Sequence, residues 1–355
     1  RAPKFRRFVV DHQASGAIHS VTYALDSSLV IAGFASGEVV QWSTVTEKCK
    51  MFKRHYGAVQ SLDASPDSTA PQIVSGGADG MLYRWGVRNE AKVEPIAGHL
   101  RTVWMVRHSF DGKYFASCSA DCTVRLWDSL NAASVAVFDQ HSASVTCIEF
   151  SATGLLASGG WDTNVIVFDV AARECVYRLK GHGARVTHLA FTPSGDLLAS
   201  ASSDCAVRVW SPKTGECYET FEVHSGDVTQ VSLSTATLVS GAADGTIWRM
   251  DIKNERPPNH AVRVHTAPVS ALTFSPDESV IATVSHDGSA ALWDSASLNN
   301  ICRFVEPGKN PITCCVFSPD GTKLVTGGKA GKLIVWDLMP QLTTAKQKKA
   351  SCTIC

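Results

Sequence analysis

Histidine, serine and aspartate recur together along this chain, and these side chains are the ingredients of a nucleophilic triad. In such a triad the imidazole takes the proton of the hydroxyl, and the carboxylate orients the imidazole. Six such sets occur, one of them with threonine in place of serine, and each is followed by a large apolar residue, usually tryptophan. They are His55, Ser75, Asp79 and Trp85; His99, Ser117, Asp121 and Trp127; His141, Ser158, Asp162 and Phe168; His182, Ser200, Asp204 and Trp210; His224, Ser240, Asp244 and Met250; and His265, Thr283, Asp287 and Trp293.

The repetition argues against catalysis, because a catalytic triad occurs once, at a cleft. A buried polar group needs hydrogen-bond partners whether or not any chemistry takes place, and a fully satisfied network stabilises the fold. We therefore interpret the six sets as structural hydrogen-bond chains. The sequence predicts that the protein is not an enzyme, that it binds no cofactor and that it holds no metal.

The sets belong to a repeat that must position them. Its most regular feature is an aromatic or equivalent residue at the end of a short apolar run, every 40–43 residues: Trp42, Trp85, Trp127, Phe168, Trp210, Met250, Trp293 and Trp336. Each unit consists of short apolar runs separated by turn residues, which is typical of strands. No segment carries a helical apolar stripe. The repeat predicts an all-β protein.

The units resemble the WD40-repeat family, which carries Gly-His, Ser-Pro-Asp-Gly and Trp-Asp at fixed intervals. The chain has Gly98-His99, Ser318-Pro319-Asp320-Gly321 and VRLWD at 124–128. The resemblance implies an eight-bladed β-propeller over residues 1–337, because thin sheets must stack in a ring to bury both faces. Seven blades plus an irregular addition is the alternative. Residues 4–12 are expected to supply the outer strand of the last blade.

The first and last units lack parts of the polar set. Ser36 and Ala330 stand where the turn aspartate is expected, and Gly308 replaces the histidine of the last unit. We expect packing and the N-terminal strand, rather than internal polar networks, to hold these two neighbouring blades.

The resemblance also implies that partners bind the top face, around the central channel. Two positions in each blade are expected there: His19, Gln60, Trp104, Thr146, Thr187, Thr229, Ser270 and Thr313; and Ala35, Ala78, Ala120, Trp161, Ser203, Ala243, His286 and Lys329. Most of these side chains are small. The predicted binding residues are the larger ones together with two arginines in adjacent loops: His19, Gln60, Trp104, Trp161, His286, Lys329, Arg101 and Arg185. Tryptophan and arginine are enriched in binding hot spots. The alternative is that Trp104 and Trp161 fold onto neighbouring blades.

Composition narrows the class of partner. Lys plus Arg and Asp plus Glu each number 33, so no net charge attracts the chain to nucleic acid or to acidic membranes. The cysteines are scattered, which favours a reducing, cytoplasmic setting, and Cys118 and Cys122 lack the further ligands of a zinc site. No apolar run has the length of a membrane-spanning helix.

The last residues, 338–355, are expected to form a basic, flexible tail. Cys352 stands fourth from the end, after three nearby lysines, which resembles a prenylation signal with a second membrane-binding contribution. The final residue, Cys355, is not among the usual last residues of a prenylation signal. An unmodified tail is the alternative.

The sequence thus predicts an intracellular scaffold that binds other proteins within a larger assembly. Blades 3 and 4 resemble short WD-repeat proteins of cilia, so a cilium, flagellum or cytoskeletal assembly is the expected setting. A phosphopeptide-reading substrate receptor of a ubiquitin ligase is the rival within this class. An enzyme that uses the propeller as scaffold is the rival of another class.

Overall fold

The computed structural model describes residues 7–10, 12, 14–24, 27–66, 71–87, 93–252 and 261–338. Within these residues 32 β-strands form eight four-stranded antiparallel sheets, and none of the residues is helical. The sheets follow one another along the chain as blades 1 to 8. The prediction of an all-β, eight-bladed propeller is confirmed, and the seven-bladed alternative is wrong.

Each blade begins with its inner strand, beside the central channel, and ends with its outer strand. Blade 1 contains β2 (Ile18–Tyr23), β3 (Leu29–Phe34), β4 (Glu38–Ser43) and β5 (Cys49–Lys53). Blade 2 contains β6 (Val59–Ala64), β7 (Gln72–Gly77), β8 (Leu82–Gly86) and β9 (Val93–Ile96). Blade 3 contains β10 (Val103–His108), β11 (Tyr114–Ser119), β12 (Val124–Asp128) and β13 (Ser134–Phe138). Blade 4 contains β14 (Val145–Phe150), β15 (Leu155–Gly160), β16 (Val165–Asp169) and β17 (Glu174–Leu179).

The second half of the chain repeats this order. Blade 5 contains β18 (Val186–Phe191), β19 (Leu198–Ser202), β20 (Val207–Trp210) and β21 (Cys217–Phe221). Blade 6 contains β22 (Val228–Leu233), β23 (Thr237–Ala242), β24 (Thr246–Asp251) and β25 (Val262–Arg263). Blade 7 contains β26 (Val269–Phe274), β27 (Val280–Ser285), β28 (Ser289–Asp294) and β29 (Asn300–Val305). Blade 8 contains β30 (Ile312–Phe317), β31 (Lys323–Gly328), β32 (Leu333–Asp337) and β1 (Arg7–Val9).

The two ends of the ring meet in blade 8. Strand β1 pairs antiparallel with β32, with Phe8 opposite Val335. The N–H of Val10 donates to the carbonyl of Leu333 at 3.0 Å and extends the pairing by one bond. The inner strand β30 also packs against β2 of blade 1, so the ring is closed. The predicted N-terminal strand is confirmed, and it covers an edge that would otherwise be open to other chains.

Burial explains the apolar runs of the repeat. The second strand of each blade is covered by both neighbouring blades, so β11 is buried along nearly its whole length. The inner strand alternates, and in β10 Val103 and Val106 face the core while Trp104 does not. The outer strands, such as β17, are mostly exposed.

A β-bulge interrupts every inner strand near its first residue. In blade 3 the register shifts between Val103 and Met105, which leaves Trp104 unpaired with β11. The same shift occurs at 18/20, 59/61, 145/147, 186/188, 228/230, 269/271 and 312/314. A bulge re-aims the side chain of its extra residue. The eight bulge residues are the first of the two sets of predicted binding positions.

Candidate binding surface

The recurring polar side chains lie inside the blades. In blade 3, His99 Nε2 lies 2.7 Å from Ser117 Oγ, and His99 Nδ1 lies 2.9 Å from Asp121 Oδ2. Trp127 Nε1 donates to Ser117 Oγ at 2.9 Å. Blades 5 and 7 have the same four-residue chain: His182, Ser200, Asp204 and Trp210; and His265, Thr283, Asp287 and Trp293. In blade 4, His141, Ser158 and Asp162 make the first two contacts, and Phe168 has no N–H to make the third.

Burial sets the protonation states in this network. Burial lowers the pKa of His99 more than the nearby Asp121 raises it, so the imidazole is neutral at pH 7. Burial alone would raise the pKa of Asp121, but hydrogen bonds from Thr123, from the Leu100 N–H and from His99 hold it at about 2. The neutral imidazole donates from Nδ1 to the carboxylate and accepts the Ser117 proton at Nε2. Ser117 has no exposed surface, so no substrate reaches this hydroxyl.

Blade 2 lacks the closing contact of the chain. His55 lies 2.8 Å from Ser75 Oγ and 2.9 Å from Asp79 Oδ1, as in blade 3. Trp85 Nε1, however, has no hydrogen-bond partner among the described residues. The expectation that Trp85 takes part in the hydrogen-bond chain of its set is therefore wrong. Its indole is held by packing among apolar side chains, which include Ile31, Val39 and Ile73.

In blade 6 a threonine hydroxyl lies between the histidine and the aspartate of the polar set. His224 Nδ1 lies 2.6 Å from Thr246 Oγ1, and that hydroxyl lies 2.5 Å from Asp244 Oδ1. His224 Nε2 keeps the contact with Ser240 Oγ, at 2.7 Å. The polar set is thus present with Thr246 inserted between histidine and aspartate.

Blades 1 and 8 have internal networks of a different kind, so the expectation that packing and the N-terminal strand alone hold them is wrong. In blade 1 the Glu38 carboxylate accepts hydrogen bonds from the Ser15 N–H at 3.1 Å and from Ser36 Oγ at 2.6 Å. In blade 8 the buried Glu306 carboxylate has donors at 2.7–2.8 Å on Gly308, Asn310 and Lys332. In both blades a glutamate supplies the carboxylate in place of the missing turn aspartate: Glu38 at the start of β4, and Glu306 directly after β29.

Five of the eight bulge side chains donate a hydroxyl hydrogen bond to a backbone carbonyl of the next blade. Thr146 Oγ1 donates to the carbonyl of Val186 at 2.8 Å. At the four following interfaces Thr187, Thr229, Ser270 and Thr313 donate at 2.5–2.7 Å to the carbonyls of Val228, Val269, Ile312 and Ile18. These hydroxyls hold the ring together and are not available to a partner. Three bulge residues remain on blades 1 to 3: His19, Gln60 and Trp104.

Trp104 and Trp161 lie on the top face, which we define as the face of the loops that enter the inner strands. Trp104 is 37% exposed, and its Nε1 donates to Ser144 Oγ of blade 4 at 3.0 Å. Trp161 is 53% exposed, and the Arg185 guanidinium lies 5.4 Å from the centre of its ring. Trp104 thus does lean onto the neighbouring blade, as the alternative anticipated, but both indoles keep solvent-accessible surface.

Arg185 links Trp161 to two polar side chains of blades 5 and 6. Its Nε donates to Ser203 Oγ at 3.0 Å, and its NH2 lies 3.7 Å from Asp227 Oδ2. Arg101 is exposed on the same face in blade 3, and its guanidinium forms no hydrogen bond or ion pair with the described residues.

Two exposed apolar residues in this sector were missed at the sequence level. Tyr56 is 94% exposed and Leu100 is 89% exposed, and each directly follows the histidine of its blade. Their N–H groups donate to Asp79 and Asp121, which fixes them on the top face. The available signal was a large apolar residue at a position where the other sets have Ser142, Gly183, Ser225 and Thr266.

The four remaining predicted binding residues lie in two pairs, one on blades 1 and 2 and the other on blades 7 and 8. His19 and Gln60 extend the tryptophan sector to blades 1 and 2, and burial lowers the pKa of His19 despite a hydrogen bond to Gln60. His286 and Lys329 lie on blades 7 and 8. Burial, followed by the charge of Lys329, lowers the pKa of His286, so these two side chains are close to each other. The structure does not bring them to the tryptophans.

The central channel holds ionisable side chains that no sequence motif indicated. Residues from the inner strands of all eight blades line a cavity of about 510 Å³. Asp63, Arg107, Glu149 and His188 lie in its wall on blades 2 to 5, and Arg107 Nε is 3.3 Å from Glu149 Oε2. The four residues come from four strands, so only the ring brings them together.

Further predictions concern metals, membranes and the tail. Within the described ranges, no group of three or more His, Cys, Asp and Glu side chains is placed to hold a metal ion. Cys118 is fully buried on β11, whereas Cys122 lies in the following turn. No helix in the described part of the chain is long and apolar enough to cross a membrane. Cys352 and the basic tail lie outside the described residues.

Comparison with known proteins identifies the repeat. The family model described as "WD domain, G-beta repeat" matches residues 46–86, 91–128, 132–169, 173–211, 215–248, 257–294 and 300–337. None of the seven matches covers β2 to β4 of blade 1, where Ala32 and Ser36 replace residues of the family pattern. The crystal structure of the computationally designed Ika8 protein is similar at a TM-score of 0.79 and 25% identity, over 91% of this chain and 96% of that one.

Curated relatives carry diverse names. Pre-mRNA-processing factor 19 of Bos taurus is 32% identical over 46% of this chain and 34% of its own length. Actin-interacting protein 1 of Drosophila melanogaster is 25% identical over 81% of this chain and 49% of its own length. WD repeat-containing protein 37 of Xenopus laevis is 26% identical over 75% and 54%. The chain therefore spans between about a third and about half of the lengths of these relatives.

Proposed function

Because this chain belongs to the WD40 repeat family, we propose that it is a non-catalytic interaction scaffold whose partner binds the top face of blades 2 to 4. One observation carries the proposal: four large apolar side chains, Tyr56, Leu100, Trp104 and Trp161, keep exposed surface in this one sector. Arg101 and Arg185 flank them.

The chemistry of these side chains suits protein recognition. Aromatic residues and arginine dominate the binding energy of interfaces, and exposed apolar patches on globular proteins mark interaction sites. Arg185 over the Trp161 ring is a cation–π pair that keeps the indole in place. The polar sets offer no competing catalytic explanation, because their hydroxyls are buried and hydrogen-bonded to histidine within the blades.

The larger assembly remains a prediction. The resemblance of blades 3 and 4 to ciliary WD-repeat proteins supports a cilium, flagellum or cytoskeletal complex, and one relative is named for an interaction with actin. The rival function is a ubiquitin-ligase substrate receptor that binds phosphopeptides, and the exposed guanidinium of Arg101 offers a contact for the phosphate of such a peptide. The names of the three relatives give no support to a ubiquitin ligase. The prenylation of Cys352 also remains a prediction, and intact-mass spectrometry of the protein from its native cells tests it.

The binding surface is tested by the double variant Trp104→Ala and Trp161→Ala. Tagged wild-type and variant proteins are expressed at native level, and co-purified proteins are quantified by mass spectrometry. We expect at least about a tenfold loss of the specific partners, because hot-spot truncation costs about 2 kcal/mol or more. Tyr218→Ala is the matched control, since Tyr218 is an exposed aromatic on the outer strand β21. An unchanged partner set in the double variant contradicts the proposed surface.

A further inference from the structure

The turns between the second and third strands differ in one residue around the ring. In five blades a glycine holds a left-handed backbone at φ 73–87°: Gly37, Gly80, Gly245, Gly288 and Gly331. In the consecutive blades 3, 4 and 5 the same position is Cys122, Thr163 and Cys205, at φ 71°, 66° and 68°. A side chain in this region costs free energy that glycine does not, and a β-branched residue such as Thr163 is rare there.

The neighbouring blade explains the glycines. A Cβ on Gly37 would lie 2.1 Å from the carbonyl oxygen of His55, and one on Gly245 would lie 2.4 Å from that of His265. The loop of the next blade therefore covers these turns closely. In blades 3 to 5 a side chain stands in this place and is partly exposed.

The three side chains lie on the top face, and the middle one, Thr163, follows the exposed Trp161 by two residues. Left-handed side chains also occur at Glu47, Ala132, Arg173 and Leu298 in turns of the opposite face, so strain alone does not mark a site. On the top face, however, three consecutive blades keep a side chain where five blades have glycine, and the middle one is next to an exposed indole, which favours a role in binding. The row Cys122, Thr163 and Cys205 thus extends the proposed surface from blade 3 to blade 5.

The charge along this row changes sign. At the blade 3 end, Arg101 is an exposed cation without a partner among the described residues. At the blade 5 end, the half-exposed Asp227 lies beside the turns that carry Asp204 and Asp244, because its carbonyl accepts from the Ala243 N–H at 2.8 Å and Arg185 contacts both Asp227 and Ser203. Three carboxylates thus lie close together at this end. Arg185, in the middle, stacks on Trp161 and offsets part of this negative charge, but its ion pair with Asp227 is long, at 3.7 Å, and leaves the carboxylate half exposed.

We propose that an extended segment of the partner lies across these three turns in one direction, with an acidic residue at Arg101, an apolar side chain at Trp104 and Trp161, and a basic residue at Asp227. The proposal rests on the proposed function and adds the chemistry and direction of the partner. In the reverse direction like charges would face each other at both ends, which is the repulsion that sets orientation in charged interfaces.

Selection of random short peptides displayed on phage tests the order of charges along the surface. We expect the wild-type pool to share an acidic residue, then an apolar residue, then a basic one, or the same three in the opposite chain sense. Arg101→Glu should remove only the acidic preference, and Asp227→Lys should remove only the basic one. Glu174→Lys, on the exposed outer strand β17, is the charge-reversal control and should select the wild-type pattern.

The outcomes separate the two proposals. If the wild-type pool needs Trp104 and Trp161 but has no charge order, or if neither charge reversal alters it, the directional proposal is wrong and the surface stands. If the pool is the same for the Trp104→Ala, Trp161→Ala variant, or no peptide is enriched, the proposed function itself fails.

The strained row is tested with a selected peptide and a matched pair of glycine variants. Thr163→Gly should raise the melting temperature and weaken peptide binding by at least about fivefold. Arg173→Gly removes a left-handed side chain at φ 60° from the turn between β16 and β17 of the same blade, on the opposite face. It should raise the melting temperature and leave binding unchanged. Equal affinities in the two variants would show that Thr163 is not a contact residue.

Discussion

Replacement of Asp121 by alanine tests the structural interpretation of the polar sets. The carboxylate accepts hydrogen bonds from His99 Nδ1 at 2.9 Å, from the Leu100 N–H at 3.0 Å, and from the N–H and Oγ1 of Thr123 at 3.0 and 2.7 Å. His99 is buried, and a buried donor without an acceptor costs about 1–3 kcal/mol. Thr123 Oγ1 lies 3.2 Å from His99 Nδ1 and offers a partial replacement. We expect a loss of about 2 kcal/mol in the free energy of unfolding.

Urea denaturation followed by tryptophan fluorescence measures this loss. Asp128→Ala is the control, because Asp128 also accepts two N–H bonds, at 2.9 and 3.1 Å, but from the exposed Leu130 and Asn131 on the opposite face. The control should lose only about 0.5 kcal/mol, as surface substitutions usually do. If Asp121→Ala is no more destabilising than Asp128→Ala, the polar sets are not structural networks and their interpretation is wrong.

Three further predictions concern single contacts. Trp127→Phe should cost about 1 kcal/mol more than Trp85→Phe, because only the Trp127 indole donates a hydrogen bond; equal losses in urea denaturation would contradict the assigned contacts. Val10→Pro removes the donor to Leu333 and should lower the unfolding free energy by about 1 kcal/mol or more, whereas unchanged melting and protease resistance would count against the closing strand. Burial lowers the pKa of His224 to about 4, below its unfolded value of 6.5, so protonation favours the unfolded chain and stability should fall as the pH drops from about 6.5 to 4. His224→Gln should show a smaller decrease of melting temperature over that range, and an identical decrease in both proteins would refute the assignment.

The fold was predictable because its signal is local and repeated. A tryptophan or its equivalent marks each third strand from Trp42 to Trp336, and the turn aspartates are at matching offsets. Blade 6 shows the limits of this argument, since Met250 follows the period although Trp248 lies two residues away. The partner of β32 was also predictable, because the sequence of residues 4–12 resembles the outer strands of the other blades.

The contacts between blades were not predictable, because they join residues about 40 positions apart whose types carry no signal. Thr146 was expected on the binding surface together with Trp104, since both occupy the bulge position. The structure shows that the Thr146 hydroxyl donates to a backbone carbonyl of the next blade, whereas the indole of Trp104 donates to the Ser144 side chain of blade 4 and keeps exposed surface. The pair Arg107 and Glu149 was missed for the same reason.

The substitutes in blades 1 and 8 were missed because the function of a side chain moved to another position. Loss of the turn aspartate at Ser36 and Ala330 suggested that the networks were absent. Glu38 on β4 and Glu306 directly after β29 supply carboxylates instead, which only the folded geometry reveals.

A cryo-electron microscopy structure of the protein purified from its native cells with its partner tests the central claim most directly. The account predicts partner density on the top face over blades 2 to 4, in contact with Trp104, Trp161, Tyr56 and Leu100. Partner density on the opposite face or along the outer strands, with these four side chains still open to solvent, would contradict it.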